Sequence, residues 1–147
     1  MAKILCVDDD KDILETCEVI LSGQGHKVET AVNGKEGFEK ASRFQPDLII
    51  LDVMMDDLTD GFHAAYKFRK DAELKYKPIL LISAINEHFP QKFDAKKDGE
   101  YLPVDAFMEK PIKPKEFISK VTELLALKKD RINKEHYQVF FQAMTIN

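Results

Sequence analysis

Four short apolar runs, each closed by a polar residue, constrain this chain most. Ile4-Leu5-Cys6-Val7 ends in Asp8-Asp9-Asp10, and Leu48-Ile49-Ile50-Leu51 ends in Asp52. Ile79-Leu80-Leu81-Ile82 ends in Ser83, and Ala106-Phe107-Met108 ends in Glu109-Lys110-Pro111. Runs this short do not make helices, and they lack the alternation of a strand with one wet face. They read as strands covered on both sides. A further segment, Lys27 to Ala31, alternates polar and apolar residues and reads as a short strand near a sheet edge.

Helical patterns separate these strands. From Lys11 to Ser22, Ile13, Leu14, Cys17, Val19, Ile20 and Leu21 recur at helical spacing, and Gly23 and Gly25 end the pattern. Asn33 with Glu36 three residues on is an N-cap signature, opening a helix to about Arg43 that Pro46 cannot prolong. Phe62 to Lys70 is helical, with Phe62, Ala65, Tyr66 and Arg69 in register. Glu116 to Leu127 is amphipathic, with Phe117, Ile118, Val121, Leu124 and Leu125 on one side. Strands alternating with helices predict an α/β fold around a parallel sheet. In such sheets the functional site lies beyond the carboxyl ends of the strands. The residues there are Asp8-Asp9-Asp10, Asp52, Ser83 and Lys110.

Several carboxylates at one sheet edge repel, and one would take up a proton unless a cation intervened. A divalent ion and the Lys110 ammonium are the two available remedies. Oxygen-only ligands suit a hard ion, and Mg²⁺ is characteristically held by one or two carboxylates plus waters and a phosphate. A carboxylate between Mg²⁺ and an ammonium is a plausible nucleophile toward phosphorus, and both cations would neutralise the phosphoryl oxygens. Asp8-x-Asp10-x-Asp12 resembles the start of a calcium loop, but Ile13 and Val19 stand where that loop needs Gly and Glu. The same segment resembles a phosphatase DxDx(T/V) motif, with Asp12 in place of Thr or Val.

Composition narrows the class. The 147 residues suit one domain. The net charge of −4 argues against a dedicated nucleic-acid or anionic-membrane binder. No apolar stretch is long enough to span a membrane, and the N-terminus does not read as a signal peptide, so a cytoplasmic location is expected. Cys6 and Cys17 form no CxxC motif and read as reduced, core-filling thiols. His26, His63, His88 and His136 show no metal-ligand spacing and read as surface residues.

The motifs Ile4-Leu5-Cys6-Val7-Asp8-Asp9-Asp10, Leu51-Asp52-Val53-Met54-Met55, Asp60-Gly61-Phe62, Ile82-Ser83-Ala84 and Phe107-Met108-Glu109-Lys110-Pro111 stand in an order and spacing that resembles the receiver domain of two-component response regulators. The resemblance covers residues 1–127 and implies a flavodoxin-like, doubly wound, five-stranded parallel sheet in the order 2-1-3-4-5. It implies that Asp52 is the phosphoacceptor. Asp9, Asp52 and the backbone carbonyl of Met54 would bind Mg²⁺, with Asp8 acting through water. Lys110 would contact the phosphoryl group, and Lys110-Pro111 would form a cis turn. Ser83 and Phe107 would be the switch residues. The phosphodonor would be a histidine kinase or phosphotransfer protein, and output would pass to an unknown protein partner, with a homodimer possible. Such a protein is a phosphoacceptor switch, not a conventional enzyme.

This chain departs from the pattern in two places. Asp56 stands where receivers commonly carry Pro, in a loop about one residue longer than usual. The segment between Ser83 and Lys110 is also long. Residues 86–104 hold Pro90, Gly99 and Pro103 and no clear apolar stripe, so the helix joining the last two strands is expected to be short, displaced or disordered. Beyond Leu127, Tyr137, Phe140, Phe141 and Met144 fall at helical spacing and suggest a C-terminal helical extension or tail over 128–147. The leading expectation is a stand-alone receiver. The alternative is an atypical receiver serving as a phosphorylation-independent interaction module.

Overall fold

A computed structural model describes residues 1–52, 60–84 and 104–126. Five strands form one sheet: β1 (Lys3–Val7), β2 (Lys27–Ala31), β3 (Leu48–Leu51), β4 (Ile79–Ser83) and β5 (Ala106–Glu109). All neighbouring strands pair parallel, in the order β2-β1-β3-β4-β5. The described helices are α1 (Lys11–Gly23), α2 (Gly34–Phe44), α3 (Asp60–Lys70) and α4 (Pro114–Ala126).

The sheet has a core on each face, which is why its strands are continuously apolar. Leu5, Val7, Ile49, Leu51, Ile79 and Leu81 pack with Ala41, Ala64, Ala65 and Phe68 from α2 and α3. The alternate residues Ile4, Cys6, Leu48, Ile50, Leu80 and Ile82 pack with Leu14, Cys17 and Leu21 of α1 and Phe117, Val121 and Leu124 of α4. Strand residues point alternately to opposite faces, so every position meets a helix layer. Cys6 and Cys17 are both buried, unbridged members of the second cluster.

Local signals fix the helix ends. Asp10 caps α1, its carboxylate accepting from the Asp12 amide at 2.9 Å. Asn33 caps α2, accepting from the Glu36 amide at 2.8 Å. Glu36 also pairs with Lys40 at 3.1 Å, one turn on. Helix α4 starts at Pro114, two residues before the Glu116 start expected from its pattern. A proline at the first helical position has no amide to leave unpaired, which extends the helix backward. Half-buried His26 is not a free surface residue, because its Nδ1 accepts from the Ala2 amide at 3.2 Å. The expected irregular helix, the acidic loop after Asp52 and the C-terminal extension lie outside the described residues, apart from single positions at their margins.

Gly37 lets α2 approach β1 closely. A Cβ there would stand 2.8 Å from Cγ2 of Val7, the residue that precedes Asp8. Gly37→Ala is therefore expected to destabilise the protein by about 1–3 kcal/mol through overpacking. Urea unfolding followed by circular dichroism measures this. A gain in stability, as expected for alanine in an uncrowded helix, would show that α2 can shift without cost.

Candidate functional site

The sheet order reverses between β1 and β3. After β1 the chain crosses to β2 at one edge, and after β3 it crosses to β4 on the other side. Connections leaving adjacent strands in opposite directions open a crevice at their carboxyl ends. Asp8 and Asp52 are the first residues beyond those ends. Val7 and Leu51 are paired in register, and the Asp52 amide donates to the Val7 carbonyl at 3.0 Å. The Asp8 amide donates to the Ala31 carbonyl, also at 3.0 Å. The sheet thus sets both carboxylates side by side, at 4% and 3% exposure.

Lys110, just past β5, reaches over β4 to join them. Its Nζ lies 3.0 Å from Asp8 Oδ2 and 3.1 Å from Asp52 Oδ2. The Lys110-Pro111 bond is cis, as the resemblance implied. Asp9 is exposed, yet one carboxylate oxygen from each of Asp8, Asp9 and Asp52 falls within a 4.8 Å span. Three hard anionic oxygens so close together suit a small divalent cation such as Mg²⁺. Asp10 turns away to cap α1, while its amide donates to Asp8 Oδ1 at 2.9 Å.

The wall behind these groups is apolar, formed by Leu14, Cys17, Ile50 and Ile82 among others. Burial therefore pushes the Asp8 carboxyl up to about 7; the Asp52 charge adds to the rise, and the Asp10 amide and Lys110 oppose it. The Lys110 ammonium is held above its ordinary range. Burial disfavours its charge, but Asp52 and Asp8 outweigh that effect. One ammonium thus compensates two carboxylates only in part, which leaves the crevice with an affinity for a further cation.

Other expected residues are placed as follows. Ser83 ends β4 in register with Glu109, but its side chain lies outside the described part. Phe107 is half-buried and packs on the core layer beneath α2 and α3. Met54 falls outside the described residues. One polar element went unread in the sequence. Arg69 of α3 is fully buried, its Nη2 2.8 Å from Asp105 Oδ2 and its Nη1 donating to the carbonyls of Lys75 and Lys77 at 3.1 and 2.6 Å. Its position on the inward stripe with Ala65 was the available signal.

Residues 4–122 match the family model of the response regulator receiver domain. The chain belongs to the receiver family. This receiver is 37% identical over 123 residues to the alkaline phosphatase synthesis transcriptional regulatory protein PhoP of Bacillus subtilis, covering 84% of this chain and 48% of that protein. It superimposes on the chemotaxis protein CheY4 of Vibrio cholerae with a TM-score of 0.73 at 30% identity, covering 84% of this chain and 98% of that one. It also matches TrrA of Thermotoga maritima, solved in complex with Mg²⁺-BeF, with a TM-score of 0.69 at 29% identity, covering 84% and 99% of the two chains. The receiver spans about half the length of the curated relatives it matches. Receiver domains are phosphoacceptor switches that take phosphate from histidine kinases and bind Mg²⁺ in an acidic pocket. No helix among the described residues is long and apolar enough to cross a membrane.

Proposed function

We propose that this receiver accepts a phosphoryl group on Asp52 in a Mg²⁺-dependent reaction, and that the modification changes its contacts with a protein partner. The observation that carries this reading is the convergence of Asp8, Asp9, Asp52 and Lys110 at the switch point of the sheet. An Asp52 carboxylate oxygen attacks the phosphorus of a phosphohistidine or acyl phosphate. The bond from phosphorus to the donor breaks, its electron pair leaves with the donor, and an aspartyl phosphate remains. Lys110 already touches Asp52 Oδ2, so its ammonium is in place to pair with the incoming phosphoryl oxygens. Asp9, Asp52 and the Met54 carbonyl are the proposed metal ligands, with Asp8 acting through water. Bound Mg²⁺ would supply charge neutralisation at the phosphoryl oxygens. The Ser83 hydroxyl would bind one such oxygen, and Phe107 would move with it. We assign residues 1–127 to the receiver and 128–147 to a C-terminal extension or tail.

Incubation with acetyl phosphate and Mg²⁺, followed by intact-mass measurement, tests the proposal. Wild type is expected to gain one phosphoryl group and Asp52→Asn none. An equal gain in both would remove Asp52 from its role.

The Asp8 carboxyl gives the site a pH dependence. With a folded-state value of about 7 against an ordinary value of about 3.9, folded metal-free protein holds an extra proton between those limits. That contribution stabilises the fold at low pH and is lost as pH rises through this window. Metal binding requires the opposite state, because a cation competes with the proton. A group titrating near 7 is about one-tenth ionised at pH 6 and about nine-tenths at pH 8, so Mg²⁺ is expected to bind about tenfold more weakly at pH 6. Calorimetric titration at the two pH values measures this, and equal affinities would show that Asp8 is ionised throughout.

A further inference from the structure

Among the described residues no strand pairs with the outer edge of β2, and that edge carries a backbone and charge pattern that complements itself. β2 is the outermost strand of the sheet. Its odd-numbered residues bond toward β1: the Lys27 amide donates to the Ala2 carbonyl at 2.8 Å, and the Ala31 carbonyl accepts from the Asp8 amide at 3.0 Å. Alternation along a parallel ladder then turns the amides and carbonyls of Val28 and Thr30 outward. Among the described residues, two groups on that outer line have partners within the chain. The Thr30 carbonyl accepts from the Lys40 ammonium, and the His26 amide donates to the Leu21 carbonyl at 3.1 Å. The Val28 amide and carbonyl and the Thr30 amide point along the edge. Lys27 and Glu29, of opposite charge, flank Val28 on one face of the strand.

We propose that a second copy of this chain pairs antiparallel with this edge about a two-fold axis at Val28. There Val28 and the partner's Val28 exchange two backbone hydrogen bonds. Lys27 falls opposite the partner's Glu29, and Glu29 opposite the partner's Lys27, giving two attractive cross-strand pairs. His26 falls opposite the partner's Thr30. The amide and carbonyl that would meet there are the two already satisfied within each chain, so the register leaves neither orphaned. The Thr30 amide bonds the partner's His26 carbonyl. An axis at Thr30 fits worse, since it needs the carbonyl that Lys40 holds and sets Lys27 against the partner's Asn33. The groove along the edge, about 550 Å³, mixes Lys3, Lys27, Lys40 and Arg43 with Glu18 and Glu29. The pairing is independent of the phosphoryl-transfer reading.

Sedimentation velocity on the full chain tests this. A five-residue strand buries little area, so association is expected only toward about 1 mM protein. Lys27→Glu or Glu29→Lys alone sets like charges opposite each other twice per dimer and is expected to weaken association about tenfold. The double variant Lys27→Glu/Glu29→Lys restores both pairs in reversed sense and is expected to recover it. Val28→Pro removes an outward amide but no β1–β2 ladder bond, so it is expected to abolish association while that ladder stays paired, with some loss of the Val28 packing against the core. A wild type that stays monomeric at about 1 mM would overturn the proposal. So would single swaps as tight as wild type, or a double swap as weak as the singles. Capture of an acidic extended peptide by a monomeric wild type would assign the edge to a foreign strand instead.

Discussion

Asp105→Ala is expected to lower stability by roughly 3–5 kcal/mol, the usual cost of removing one member of a buried ion pair. Arg69 has no solvent contact, and Asp105 is its anionic neighbour at 2.8 Å. The same Asp105 oxygen accepts from the Ile79 amide at 2.8 Å. One carboxylate thus holds the start of β4 and the end of α3 beside the entry to β5. Its removal takes the carboxylate from a guanidinium that still donates to the Lys75 and Lys77 carbonyls, and takes the acceptor from the Ile79 amide. Thermal unfolding followed by circular dichroism is expected to show a fall in Tm of roughly 8 °C or more for a domain of this size. The double variant Arg69→Met/Asp105→Leu is expected to recover part of that loss, because an apolar pair leaves no buried charge. A loss below about 1 kcal/mol for Asp105→Ala would mean that water reaches Arg69.

Lys110→Met is expected to slow phosphorylation by acetyl phosphate by roughly 10²–10³-fold, the usual effect of deleting one preorganised group that stabilises developing charge. Methionine preserves much of the stem, so the change removes mainly the ammonium that touches Asp8 and Asp52. The same variant removes the Lys110 ammonium from between the Asp8 and Asp52 carboxylates, and Mg²⁺ is expected to bind it at least as tightly as wild type. The two readouts therefore move apart, which a general loss of structure would not produce. Stopped phosphorylation time courses and metal titration measure them, and an unchanged rate would place Lys110 outside the chemistry.

The sheet was legible in the sequence because burial on both faces removes polar residues from a strand and leaves a run such as Leu48–Leu51. Asp8, Asp52 and Lys110 were legible for a related reason. A charged residue directly after such a run must lie at the sheet edge, where a parallel fold gathers strand ends. The contact of one lysine with both aspartates was not legible, because it depends on the register across β1, β3, β4 and β5. Nor was the Arg69–Asp105 pair: Arg69 stands on the inward stripe of its helix, but nothing in the sequence joins it to Asp105, 36 positions on. Gly37 gave no signal at all, since its need for closeness to Val7 exists only once α2 has docked.

The central claim is that Asp52, and not a neighbouring aspartate, carries the phosphoryl group. Reductive trapping with borohydride after treatment with acetyl phosphate and Mg²⁺ converts an aspartyl phosphate to homoserine, and peptide mass mapping then locates it. The account predicts homoserine at position 52 alone. Homoserine at Asp8, Asp9 or Asp10 with Asp52 intact would contradict it.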